Sequence, residues 1–118
     1  MPNQHLVTAA HNIRRAIRDV EQEIQNARTE SDRQINDLEK QINDLKQDER
    51  MLMAASANAD SDMERAHNRS EIQQREQKIA EINRQVFKLK DDLRKVEADL
   101  ERQKTEYNEM ATMLERAS

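Results

Sequence analysis

Three histidines and one acidic segment are the residues of this sequence with the chemistry to bind a metal. A helical zinc site needs two histidines about four residues apart on one face, but the spacings between His5, His11 and His67 are six and fifty-six residues. The segment NADSD, residues 58–62, offers oxygen ligands. A calcium loop also needs a glycine turn, and the chain contains no glycine. We therefore expect no metal and no cofactor.

The sequence also lacks the residue patterns that common catalytic sites require. Without cysteine there is no thiolate nucleophile, and without glycine there is no loop of the kind that cradles phosphates. A nucleophile and its base also need a concave pocket that excludes water. We expect that the protein is not an enzyme.

A basic segment near the N-terminus contains Arg14, Arg15 and Arg18, with no acid before Asp19. Such a patch can bind phosphate or an anionic surface. The alternative is a solvated face whose charges meet acids on another helix, such as those at Asp99, Glu101 and Glu106. The net charge of −4 makes nucleic-acid binding the less favoured reading.

The composition is typical of long helices rather than of a compact domain. Charged residues make up 37% of the 118 residues and hydrophobic residues 35%, with one Phe, one Tyr and no Trp. Good helix formers dominate, and only one proline is present. No run approaches the roughly 18 apolar residues that span a bilayer, and no secretory signal is evident. We expect a cytoplasmic protein with no membrane span.

Two apolar heptad spines run through the sequence. The first consists of Ala10, Ile17, Ile24, Ser31, Leu38, Leu45 and Leu52; the second consists of Ile72, Ile79, Val86, Leu93, Leu100, Tyr107 and Leu114. Seven-residue spacing sustained over this length predicts a coiled coil.

The companions of each spine predict where its phase changes. In the first spine they stand three residues on until Ser31 and four residues on afterwards, which is a stutter; they are Ile13, Val20 and Ala27, then Ile35 and Ile42. In the second spine they stand three residues on throughout, with polar Arg75 and Gln103 interrupting them; they are Ile82, Leu89, Val96 and Met110.

The segment between the spines carries turn chemistry. Asn58 is suited to the left-handed conformation that ends a helix, and SDME, residues 61–64, is a capping box. We therefore predict an all-α, antiparallel two-helix coiled-coil hairpin in a single domain. Helix 1 covers about 3–57, the turn 58–61 and helix 2 about 62–116. One continuous rod is the alternative, since every residue of the segment tolerates helix.

The mirror relation of the spines predicts a register. Placing Leu45 opposite Ile72 and Leu38 opposite Ile79 sets the centre of symmetry between Asn58 and Ala59. A second hairpin could then cover the apolar residues that lie off the spines, which would make a homodimer with a four-helix segment.

Two apolar groups are candidate partner-binding sites. The first, at the turn, comprises Met51, Leu52, Met53 and Met63; the second, at the open end, comprises Leu6, Val7, Tyr107, Met110, Met113 and Leu114. Methionine adapts to many partners, but each group could equally be the last packed layers of the hairpin.

These features favour a non-catalytic protein–protein interaction module: a stalk, adaptor, scaffold or chaperone-like clamp that presents apolar ends to another protein. The alternatives are a small inhibitor or regulator, viral or plasmid-borne, that blocks another protein with a helical face and, with less support, a nucleic-acid binder. In architecture the chain resembles the coiled-coil stalks of flagellar and type III secretion export ATPases and the arms of prefoldin. That resemblance rests on periodicity and assigns no functional residue.

Overall fold

The computed structural model describes residues 3–118, which form two long helices. Helix α1 covers Gln4–Ala57 and helix α2 covers Asp62–Ala117, with residues 58–61 between them. The helices pack against each other as an antiparallel hairpin, and no strand occurs between residues 3 and 118. The predicted fold class, with its turn near residues 57–61, is confirmed.

The side chains of Asn3 and Ser61 cap the N-termini of the two helices. The Asn3 Oδ1 accepts the backbone N–H groups of His5 and Leu6 at 3.0 and 3.4 Å, which satisfies donors that the first turn of α1 leaves free. The Glu64 amide donates to the Ser61 Oγ at 3.1 Å, which is the forward bond of the predicted capping box.

Asn58 ends α1 differently from the prediction. No described residue has a positive φ, so the predicted left-handed conformation is wrong. Instead, the Asn58 amide donates to the carbonyls of Ala54 and Ala55, at 3.3 and 3.2 Å, and its side-chain Nδ2 donates to Ala54 at 3.1 Å. The last carbonyls of α1 are thus bound without a left-handed residue.

The chain divides into two compact units, each containing a stretch of both helices. The tip unit comprises residues 32–90 and includes the turn. The open-end unit comprises residues 3–31 and 91–118.

The core of the tip unit is a ladder of aliphatic side chains. Four residues are buried and four more pack against them; in α1 these are Ile35, Leu38, Ile42 and Leu45, and in α2 they are Ile79, Ile82, Val86 and Leu89. The spacing of three and four residues within each set is that of one helical face. Burial of this face removes the apolar side chains from water, which is the main source of stability for such a helix pair.

The register in the tip unit differs from the predicted one by about one heptad. Asp48 of α1 forms an ion pair with Arg75 of α2, whereas the predicted register puts Arg69 at that place. A shift of seven residues brings the eight members of the core cluster to matching levels. We infer from it that Leu45 lies level with Ile79, Ile42 with Ile82, Leu38 with Val86 and Ile35 with Leu89. The predicted pairing of Leu45 with Ile72 is wrong, because a heptad repeat is similar to itself after a shift of seven residues.

Within the open-end unit, the ion pairs between the helices show the same shift. Glu21 contacts Lys104 at 3.4 Å, and Arg28 contacts Glu97 at 2.6 Å. The predicted register would instead have placed residues 96 and 89 of α2 at these positions. Among the described residues of this unit, the buried ones are all small or β-branched, and only Ser31 is polar; they are Ala10, Val20, Ile24, Ser31 and Ala111.

The phase of α2 also changes in the open-end unit, which the sequence did not predict. Val96 and Met110 were expected in the seam, which is the interface where α1 packs against α2. Their side chains are instead 43% and 48% exposed. Glu97 is half-buried and Ala111 is fully buried in their place. The buried positions of α2 therefore step by four residues after Leu93, which is a second stutter. Leu93 lies at about the level of Ser31 of α1, where the first stutter was predicted.

Candidate interaction surfaces

The turn exposes most of its methionine side chains. Met51, Met53 and Met63 are 65%, 52% and 83% exposed, whereas Leu52 is half-buried. Successive residues of a helix point about 100° apart, so directing Leu52 into the seam turns both of its neighbours outward. The predicted tip group is thus three exposed methionines beside one residue that belongs to the seam.

Polar contacts hold the turn next to these methionines. The Arg65 Nη1 donates to the Ala59 carbonyl at 2.9 Å, and the Arg65 Nη2 lies 2.5 Å from the Asp62 Oδ1. Arg65 therefore ties the first turn of α2 to the connecting segment. Met63 projects from this fixed first turn, one residue beyond Asp62.

Two open grooves border the exposed methionines. One lies between Met51, Leu52 and Arg75, and the other between Ala55, Met63 and His67. Both are shallow depressions in the surface of the tip unit that a side chain of another protein could enter. Neither is an enclosed cavity of the kind that holds a small molecule.

At the open end, the predicted group is divided between surface and seam. Val7 and Met113 are 37% and 68% exposed, and Met110 is exposed as described above. Leu6, Tyr107 and Leu114 are half-buried. The Tyr107 hydroxyl accepts a hydrogen bond from the Gln103 Nε2 at 3.0 Å, so a polar pair occupies this part of the seam.

The three arginines of the basic segment have different surroundings. Arg14 forms an ion pair with Glu115 and donates from its Nη1 to the Asn108 Oδ1 at 3.2 Å. Arg15 and Arg18 are exposed. One of the two interpretations of this segment was a face whose arginines pair with acids of the other helix. Arg14 does pair with such an acid. Its partner, Glu115, is not one of the acids suggested from the sequence.

A groove in the open-end unit gathers charges of both signs. It is lined by Arg14, Arg18 and Lys104 together with Glu21 and Glu101. The Glu21–Lys104 pair and the Arg14–Glu115 pair each cancel one positive charge. The remaining cation, Arg18, shares the groove with Glu101. The groove therefore lacks the net positive charge that selects phosphate.

The Arg28–Glu97 ion pair perturbs the ionisation of its arginine. The hydrogen bond that the Arg28 Nε donates to the Glu97 Oε1, reinforced by the negative charge of Glu97, raises the pKa of Arg28 above the ordinary value. Like any arginine side chain, this guanidinium is protonated at neutral pH. This contact is an ion pair between the two helices at the surface of the open-end unit.

Sequence reasoning missed a group of charged side chains in the seam of the tip unit. This charged layer consists of Asp48, Glu49, Glu71 and Arg75. Arg75, only 28% exposed, contacts the carboxylates of Glu71 at 2.7 Å and Asp48 at 3.7 Å. Glu49 is half-buried on the facing side of α1. The interruption of the second spine at Arg75 was the available signal, but the wrong register placed Ile42 opposite it.

Neither a metal site nor a membrane span is found in the described part of the chain. No group of three or more histidine or acidic side chains between residues 3 and 118 could hold a metal ion. His5, His11 and His67 are all exposed. Over the same residues, neither helix contains a stretch apolar and long enough to cross a membrane.

Comparison with known proteins found no match to a family model, to a curated protein or to a solved structure.

Proposed function

We propose that the chain is a non-catalytic protein–protein interaction module that presents apolar side chains near its turn and at its open end to another protein. The observation that carries this proposal is the exposure of Met51, Met53 and Met63. These side chains lie in the same unit as a well-buried aliphatic ladder, yet the chain's own fold leaves them in water.

The chemistry of these side chains supports a protein partner. Methionine is flexible and polarisable, so one methionine surface can adapt to an apolar helix face or groove. The turn beside it is tied down by Arg65, so docking would order few additional backbone residues. Interaction surfaces gain affinity when part of the ordering is already present in the free protein.

Site-specific photocrosslinking tests the proposal in cells that produce the protein. A photoreactive amino acid replaces Met51, Met53 or Met63 in turn, and Gln77 serves as the control because it is exposed in the same unit. We expect the methionine positions to give the same discrete crosslinked protein and Gln77 to give none. The proposal fails if the methionine positions crosslink no more than Gln77.

A second copy of the chain is the other outcome that this experiment recognises. Crosslinks between two copies would mean that self-association covers the methionines, as in a homodimer. Light scattering on the purified protein separates the two cases, since the single chain has a mass of 13.9 kDa and a homodimer twice that value. A partner protein predicts the single-chain mass for the purified protein.

A further inference from the structure

The charged layer of the tip unit stabilises the seam less than an apolar layer would. Arg75 donates from its Nη1 to the Glu71 carboxylate and to the Glu71 carbonyl, at 2.7 and 3.0 Å. Two buried atoms of the layer, Glu49 Oε1 and Arg75 Nε, have no hydrogen-bond partner. Because burying unsatisfied charged groups is costly, apolar residues of similar volume would often serve stability as well or better.

The apolar part of the seam does not by itself fix the register. Leu45 lies at the level of Ile79, but Ile72 would meet it if α2 moved by one heptad. In the same way, Leu38 would meet Ile79 in place of Val86. Apolar pairs thus close in both registers, because both helices repeat every seven residues.

The charged layer distinguishes between these two registers. In the structure, Arg75 stands at the level of Glu49 and contacts Asp48. A shift of one heptad would move Arg75 to the level of Ile42 and Glu49 to that of Asn68. Arg75 would keep Glu71 of its own helix but lose its contact with Asp48, and its guanidinium would lie against the aliphatic side chain of Ile42, which is unfavourable.

We propose that the layer of Asp48, Glu49, Glu71 and Arg75 fixes the register of the tip unit against a register one heptad away. Single polar positions in an apolar seam specify register in other helix pairs at a cost in stability. This role explains why a layer containing two buried atoms without a hydrogen bond occupies the seam between the Leu52 and Leu45 levels.

Disulfide trapping measures the register directly, because the chain has no cysteine of its own. A reporter chain carries Leu45→Cys, Ile72→Cys and Ile79→Cys. Residues seven apart on a helix are separated by about 10.5 Å, and a disulfide needs Cα atoms within about 7 Å. Cys at 45 therefore joins 79 in the observed register and 72 in the shifted one. Peptide mapping of the oxidised single chain gives the ratio of the two products.

Three substitutions in this reporter test the role of Arg75. Arg75→Leu leaves Glu49 facing an apolar residue in the observed register, and in the shifted register it places leucine against Ile42. We expect the share of the 45–72 product to rise about tenfold or more. Arg75→Lys keeps the charge, and Arg84→Leu removes an arginine from the exposed surface of α2; both should retain the 45–79 product.

The proposal is overturned if the Arg75→Leu reporter is helical by circular dichroism and still forms the 45–79 product as before. It is also overturned if Arg84→Leu shifts the ratio as much as Arg75→Leu does. Should Arg75→Leu lose its helicity, Arg75→Gln decides in its place. A raised 45–72 share in that smaller, uncharged variant supports the proposal, and an unchanged share overturns it.

Discussion

Burial, rather than residue type, determines which apolar side chains stabilise the hairpin. Ile82 is 1% exposed, whereas Phe87, the only phenylalanine, is 66% exposed on the same helix. We expect Ile82→Ala to lower the free energy of unfolding by about 2–5 kcal/mol through lost burial and a cavity. Phe87→Ala should change it by about 0.5 kcal/mol or less. Urea unfolding of the two variants checks this, and equal losses would contradict the burial assigned to them.

Ser31 is a buried residue whose replacement should do no harm. Its side chain is 8% exposed, and its Oγ has no hydrogen-bond partner. A buried hydroxyl without a partner costs about 1–3 kcal/mol in protein mutational data. We expect Ser31→Ala to raise the urea midpoint, since alanine removes the hydroxyl and favours helix. A lower midpoint would contradict the assignment of Ser31 as a buried hydroxyl without a hydrogen-bond partner.

At the scale of elements, the cap of α2 is a local feature with a measurable effect. Ser61→Ala removes the acceptor of the Glu64 amide and should lower stability by about 1 kcal/mol. Ser70→Ala is the matched control, because Ser70 is exposed within α2 and alanine is the better helix former there. Thermal melting of both variants tests the cap. It would be refuted if Ser61→Ala melted no lower than Ser70→Ala.

The helices and their turn could be predicted from sequence because their signals are local. Heptad spacing identifies the buried face of each helix, and Ser61 with Glu64 marks the start of α2. The end of α1 was predicted less well. Asn58 was expected to end α1 by adopting a left-handed conformation, but its amide and side chain donate to the carbonyls of the preceding turn instead.

The phase change of α2 was hidden by residue types that fit either face. Val96 and Met110 are apolar, so the second spine was predicted to continue through them. Charged Glu97 and small Ala111 gave no signal that they would be the more buried residues instead. The structure buries Ala111 completely, because a four-residue step after Leu93 carries the seam onto that face. A polar residue in the place of Val96 would have revealed the change.

At the scale of the whole chain, the antiparallel pairing follows from sequence and the register does not. Apolar repeats alone allow shifts of seven residues. Only the charged positions distinguish the alternatives, and they do so through contacts between residues far apart in sequence, such as Asp48 with Arg75. The tip and open-end surfaces are a similar case. Both groups were predicted from residue type alone. The structure adds that Met51 and Met53 are exposed whereas Leu52 is half-buried.

Methionine footprinting tests most directly the central claim that another protein covers the turn. Brief peroxide treatment converts accessible methionine to its sulfoxide, and mass spectrometry gives the oxidation rate at Met51, Met53 and Met63. The purified protein is compared with the protein inside cells that produce it. A methionine introduced by Gln77→Met serves as the internal reference, since that position is exposed away from the turn.

In the purified protein, we expect the three turn methionines to oxidise about as fast as the reference, because more than half of each side chain is exposed. Inside the cell, their rates should fall several-fold relative to the reference as the partner covers them. Equal relative rates in the two settings would contradict the account, since the exposed turn would then be free surface rather than a binding site.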